Sequence, residues 1–260
     1  MSQETPMLRQ YKKIKQEHTD AILLFRLGDF YEMFLEDAEV ASEVLEIVLT
    51  SREAGQRGRI PMCGIPFHAA SGYISRLIEK GFKVAICEQT EDPKKAKGLV
   101  KREVVRVITP GTLIDDQLLE EKSNNYLMAL AVSDDSYGLA VADLSTGDFC
   151  VTQIPADPSL ILDELSHWQP KEILVPEDQV TELAWIKQRF SIMFTLRSIR
   201  DFRWLNAQER LITHFQVSSL EGFGCHHLKA AIGAAGAILE YFYETQKANC
   251  SICFRFALII

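Results

Sequence analysis

Three apolar runs, YLMALAV (126–132), YGLAVADL (137–144) and FCVTQI (149–154), are separated only by the turn clusters SDDS and STGD. A parallel pair needs a crossover of a dozen or more residues, so connectors this short permit only antiparallel hairpins. The Asp, Ser and Gly residues between the runs are those that tight turns favour. An antiparallel meander is therefore expected in the middle of the chain.

Beyond it the rhythm changes to alternating helix and strand. Asp157 and Pro158 read as N-cap and first residue of a helix over PSLILDELSHW, KEILV as a buried strand, DQVTELAWIKQRF as a helix and IMFTLRS as another strand. Two more helices are expected around NAQERLITHFQV and HLKAAIGAAGAILEYFYETQK. Three antiparallel strands followed by alternating α and β units is a ribonuclease H-like order.

The first part of the chain is also mixed α/β. Met7, Leu8, Tyr11 and Ile14 recur at helical spacing behind Thr5 as N-cap and Pro6 at the first position, and AILLFRL reads as a buried strand. EDAEVASEVLEIVLTSRE places Ala41, Val44, Leu45, Val48 and Leu49 on one helical face, and the Gly/Arg-rich REAGQRGRIPMCGIPFH reads as a loop. A third helix packs Tyr73, Ile74, Leu77 and Ile78 and stops at Gly81, before strands over FKVAICE and EVVRVITPG. The fold class is α/β, with a mixed-sheet domain over 1–111, a polar linker over 112–124, a ribonuclease H-like domain over 125–248 and an atypical apolar tail over 249–260.

Charge separates the two parts. Residues 1–110 carry 17 Lys/Arg against 16 Asp/Glu, whereas residues 111–260 carry 11 against 20, within a net charge of −8. Lys94, Lys95, Lys97, Lys101, Arg102 and Arg106 form a local basic strip. Such a strip suits a solvated loop as well as a phosphate contact; it can hold phosphates on an acidic protein because charges more than a Debye length away, ~8 Å in physiological salt, are screened. The N-terminus lacks the apolar stretch of a signal peptide, and the longest near-apolar run, LKAAIGAAGAIL, falls short of the ~20 residues that span a bilayer. Six cysteines without framework spacing fit reduced thiols. Together these read as a soluble cytoplasmic chain that makes no membrane contact.

RLGDFYEMF (26–34) raises the sharpest functional question. The Gly-Asp pair ends the buried strand, so FYEMF begins just past a sheet edge, with Phe34 the residue to bury. The ordinary reading of Phe30 is packing too; the sharper one is that, exposed at a turn beside basic loops, it wedges between bases and kinks a duplex whose stacking is already weak. Glu32 has the wrong charge for a phosphate surface. Phosphates disfavour its ionised form, and once protonated it donates a hydrogen bond to a base nitrogen. Discrimination then comes from deformation energy, since an unpaired base is displaced at lower cost.

GDFYEMF, RIPMCGIPFHA, GFKVAICEQTEDP, KREVVRVITPGT and EGFGCHHLKAAIGAAGAILEYFYETQ, in this order, are similar to the MutS family of bacterial DNA mismatch-repair recognition proteins. The resemblance implies a mismatch-binding domain followed by a connector domain. It places the family's Phe-x-Glu signature on Phe30 and Glu32, which stack on and hydrogen-bond to the mispaired base from the minor groove. It also puts Arg52, Met62 and Arg102 at the DNA, the two arginines on its backbone. In full-length members it implies a homodimer that clamps mismatched double-stranded DNA, and a MutL-type matchmaker partner engaged through the connector. ATP and Mg belong to an ATPase module whose GxxxxGK[ST] motif this chain does not contain, so no cofactor and no enzymatic activity are expected of it. The apolar tail NCSICFRFALII departs from the family pattern and reads as an exposed liability.

Two rival readings come from the residues. Asp143, near Asp148 on the meander, would belong to the carboxylate cluster of a metal-dependent nuclease, although Asp134, Asp135 and Asp148 also suit hairpin turns. Cys225, His226, His227, Cys250 and Cys253 contain a CxxC spacing formally right for zinc, but no second pair at zinc-finger spacing. No metal site is expected.

Overall fold

The computed structural model describes residues 4–55, 58–91, 98–113, 124–133, 135–247 and 254–258. The chain divides into two units, the first running to Thr109 and taking in Gln246–Ala248, the second made of Pro110–Thr245 and Asn249–Ile260.

In the first unit, Thr5 accepts a hydrogen bond from the Leu8 N–H and starts α1, Pro6–Glu17. The strands are β1 (Ala21–Leu27), β2 (Phe30–Phe34), β3 (Thr50–Glu53), β4 (Arg59–Pro66), β5 (Lys83–Gln89) and β6 (Arg102–Ile108); α2 (Glu36–Leu45) and α3 (Ala70–Glu79) lie between them in sequence. They form one sheet in the order β3-β4-β2-β1-β5-β6. Only β1 and β5 run parallel. Strand alternation sends Leu23, Phe25 and Phe34 into one core with Leu8 and Tyr11 of α1. Met33 and Cys63 leave the other face, where the Cys63 thiol donates to Ala38 O of α2 at 3.4 Å.

The second unit contains β7 (Tyr126–Val132), β8 (Ser136–Asp143) and β9 (Asp148–Pro155), the expected antiparallel meander. There follow α4 (Pro158–Trp168), β10 (Glu172–Pro176), α5 (Ala184–Arg189), β11 (Met193–Arg197), α6 (Trp204–Phe215), α7 (Lys229–Thr245) and β12 (Arg255–Leu258). The strand order is β11-β10-β7-β8-β9-β12, with β10 parallel to both β7 and β11. β7 is apolar throughout because both faces are covered. Leu127, Ala129 and Ala131 pack with α6 and α7, while Met128 and Leu130 pack with Ile161 and Leu165 of α4. The Ala- and Gly-rich stretch of α7 is what lets it lie so close. A Cβ on Gly138 of β8 would come within 2.1 Å of the Ala230 carbonyl carbon, and one on Gly236 within 2.3 Å of Ala207 Cβ.

The structure corrects several expectations. The second helix stops at Leu45, because Glu46 takes a left-handed φ of 55° and the Ile47 N–H turns back to Ser42 O. Val48, 82% exposed, and Leu49 are therefore off any helical face. Much of REAGQRGRIPMCGIPFH is strand, its ends forming β3 and β4, which pair antiparallel. Pro61 lies inside β4, where its carbonyl accepts from the Leu35 N–H at 3.0 Å. FYEMF, placed past the sheet edge by its turn, is itself strand β2. The helix expected over DQVTELAWIKQRF forms only as the short α5. The tail is not wholly exposed: β12 pairs parallel with β9, and Phe254 stacks on Phe242 at 5.3 Å.

Candidate nucleic-acid interface

β1 and β2 are joined by the two-residue turn Gly28-Asp29, with Leu27 paired to Phe30 across it. Gly28 has φ 59°, a value Gly takes at no steric cost, so a turn this tight needs it there. The Phe67 N–H donates to Asp29 O at 2.9 Å from the other side, where β2 pairs with β4.

Alternation along β2 then sorts its side chains. Phe30, Glu32 and Phe34 share the face that carries α1, and Tyr31 and Met33 take the other. α1 covers only part of that face. Phe34 is fully buried with Tyr11 edge-on at 5.0 Å, whereas Phe30 at the turn end is 47% exposed. Glu32 lies between them opposite Gly64 of β4, which leaves bare strand beside the carboxylate.

The same registers put Met62 and Arg52 on this face. Arg52 Nη1 donates to Glu32 Oε2 at 2.5 Å in a part-buried ion pair. Met62 is half-buried against the core beneath α1. Phe30, Glu32, Met62 and Arg52 thus lie on one face of three neighbouring strands.

Arg102 departs from the expectation of a phosphate contact. It is on the same face of the sheet, but only 6% exposed, with its guanidinium 5.0 Å from the Phe25 ring centre. Its Nε donates to Arg26 O at 2.7 Å and its Nη1 to Val100 O at 2.8 Å and Gln10 Oε1 at 3.1 Å. These acceptors hold the side chain inside, where it braces the strand that leads to the turn. In the basic strip, Lys101 pairs with Glu103 at 2.6 Å. Lys94, Lys95 and Lys97 lie outside the described residues.

The profile of MutS domain I matches residues 5–117, and that of MutS domain II matches residues 125–252. The chain belongs to the MutS family. DNA mismatch repair protein MutS of Symbiobacterium thermophilum is 50% identical over 250 residues, 94% of this chain and 29% of that protein. That of Desulfosudis oleivorans is 50% identical over 252 residues, 95% of this chain and 28% of its own length. That of Lachnoclostridium phytofermentans is 48% identical over 256 residues, covering 96% and 27%. The chain therefore spans a little over a quarter of the length of these MutS relatives, and neither matched domain is the family's ATPase portion.

Within this MutS-family chain the rival site residues have other occupations. Asp143 is fully buried, its Oδ2 accepting from the Asn125 N–H at 2.9 Å and its Oδ1 from the Ser145 N–H at 2.8 Å and hydroxyl at 2.6 Å. A carboxylate so engaged ties the end of the meander. Cys225 is a buried free thiol while His226 and His227 are exposed, and Cys250 and Cys253 lie outside the described residues, as does Asp134. Among the described residues no group of three or more potential metal ligands occurs. No described helix is long and apolar enough to cross a membrane.

Arg26 and Phe67 carry no mark in the sequence pattern. The Arg26 guanidinium lies over the exposed Phe67 ring, 3.6 Å from its centre, and beside Tyr31, whose hydroxyl donates to Glu88. Burial and then the Glu88 carboxylate push the Tyr31 phenol up from its ordinary range, so it remains a hydrogen-bond donor.

Proposed function

We propose that this chain reads mispaired and unpaired bases in duplex DNA for mismatch repair, with Phe30 entering from the minor groove as a wedge and Glu32 hydrogen-bonding to the displaced base. The observation that carries this reading is the exposed Phe30 ring beside Glu32, on a strand whose other end is sealed in the core. Inserting a ring between base pairs costs unstacking energy of a few kcal/mol, least where a base is already unpaired. A rigid aromatic on a fixed turn converts that difference into preference without any base-sequence code. Arg52 and Met62 flank the wedge, Arg52 toward phosphate. The chain needs no cofactor of its own and catalyses nothing. In the whole protein, ATP and Mg serve the ATPase, two copies enclose the DNA, and the second domain passes recognition to a MutL-type matchmaker in the cytoplasm.

The test is a titration of this chain with a G·T duplex, a duplex bearing one unpaired thymine, and a matched duplex. Phe30→Ala brings the three affinities together. Retained preference for the mismatched duplexes in Phe30→Ala would refute the wedge.

A further inference from the structure

The turn that presents Phe30 is gripped from the far side of the sheet. Arg26 pairs with Tyr31 in the β1–β2 register, so its side chain leaves the face opposite Phe30. Instead of extending into solvent it folds back. Its Nε donates to Gly28 O at 2.6 Å, its guanidinium lies 3.6 Å from the Phe67 ring centre, and its Nη1 is 3.8 Å from Glu88 Oε1. Phe67 in turn donates its N–H to Asp29 O at 2.9 Å. Both residues of the turn are thereby held by their carbonyls, one by the Arg26 side chain and the other by the residue on which Arg26 stacks. The carboxylate and the ring fix the guanidinium on either side.

Resting on the wedge reading, we propose that Arg26 is the positioning residue for Phe30: its guanidinium locks the Gly28-Asp29 turn so that the ring is presented in a set direction before DNA arrives. A hairpin tip with exposed backbone is where local opening is easiest, and a ring on a loose turn must be ordered at the moment of insertion. Holding the turn in the free protein removes that cost from the step that distinguishes mismatched from matched DNA. Arg26 touches neither base nor phosphate in this role, so its loss should fall on discrimination and leave general duplex affinity in place.

Arg26→Met keeps the length of the side chain and removes its donors and charge; Arg26→Lys keeps charge and one donor group. Hydrogen exchange of the free 260-residue chain is measured over 27–31, together with the ratio of matched to G·T dissociation constants, with Phe30→Ala alongside. In Arg26→Met, exchange at the turn rises and the ratio falls by about fivefold each, the scale of one lost hydrogen bond. Matched-duplex affinity and exchange in β5 stay unchanged, and Arg26→Lys falls between. Unchanged exchange at the turn overturns the lock whatever the DNA does. An unchanged ratio beside a Phe30→Ala chain that has lost its preference overturns the positioning role alone. A Phe30→Ala chain that discriminates as well as the unaltered one overturns the wedge reading, and Arg26 then has nothing to position.

Discussion

Phe30 and Phe34 are the same side chain on the same face of one strand, and their surroundings assign them opposite work. Phe34 is fully enclosed, edge-on to Tyr11, whose hydroxyl donates to Asp37 Oδ2 at 2.8 Å and accepts from the Phe34 N–H at 3.4 Å. Removing its ring leaves a cavity that α1 cannot collapse into without breaking those bonds. Phe34→Ala is therefore expected to cost about 3–5 kcal/mol, as large-to-small changes in closed cores do. Phe30 has nearly half its surface open to solvent, so Phe30→Ala should cost only about 1 kcal/mol, well short of the Phe34 loss. Urea unfolding of both variants checks the pair. A Phe30→Ala chain as destabilised as Phe34→Ala would make that residue core, and any loss of DNA reading would then be a folding effect. RLGDFYEMF shows half of this contrast: a Gly-Asp turn limits how many of the following aromatics can be buried and points to Phe34, but packing is the ordinary reading of Phe30 as well, and only the structure exposes it. The partner of Glu32 was not, since Arg52 reaches it only through the pairing of β2 with β4 and of β4 with β3.

At the level of elements, capped helices and uninterrupted apolar strands were readable and the boundaries set by backbone conformation were not. Thr5-Pro6 and Asp157-Pro158 start helices as their chemistry requires, with Asp157 accepting from the Ser159 N–H. The α2 periodicity runs on past Leu45 in the sequence, yet the chain turns at Glu46, a residue with no intrinsic preference for the left-handed conformation it adopts. What decides is tertiary: Thr50–Glu53 is needed as a strand beside β4, and a helix through Leu49 would consume its lead-in. β4 is obscured by its prolines and glycines, which mark loops in isolation, whereas here they lie within a paired strand. The turn at Glu46 makes a prediction of its own. A non-Gly residue there carries a left-handed penalty that Gly does not. Glu46→Gly relieves about 1–2 kcal/mol of left-handed strain and gives back about 0.4–1 kcal/mol in unfolded-chain entropy, so it should raise the stability of the chain by about 0.5–1 kcal/mol, read as an upward shift of the urea midpoint. Its exposed contact with Arg76 at 3.8 Å is too weak to offset that gain. A lower midpoint would show that Glu46 is held by something beyond its backbone.

For the molecule as a whole, a chain of net charge −8 must bind a polyanion through local charge, and the disposition of its arginines decides how that binding depends on salt. Each phosphate neutralised on duplex DNA contributes about 0.9 to the slope of log affinity against log salt. Arg102 contributes none as it stands, because its guanidinium is enclosed and bonded to carbonyls. Arg52 is different. Its side chain is the more exposed partner of the part-buried Glu32 pair, so its guanidinium already faces solvent on one side. A phosphate offers the guanidinium a charge-assisted, bidentate alternative, and releasing Glu32 frees the carboxylate for the displaced base. Arg52→Ala is therefore expected to reduce the salt slope by about 0.9 on mismatched and matched duplexes alike. Arg102→Met should lower the unfolding midpoint and leave the slope unchanged. Titrations at two salt concentrations separate the outcomes. A slope unaffected by Arg52→Ala would mean that the pair stays closed on DNA, with Arg52 serving to hold Glu32 in place beneath the wedge.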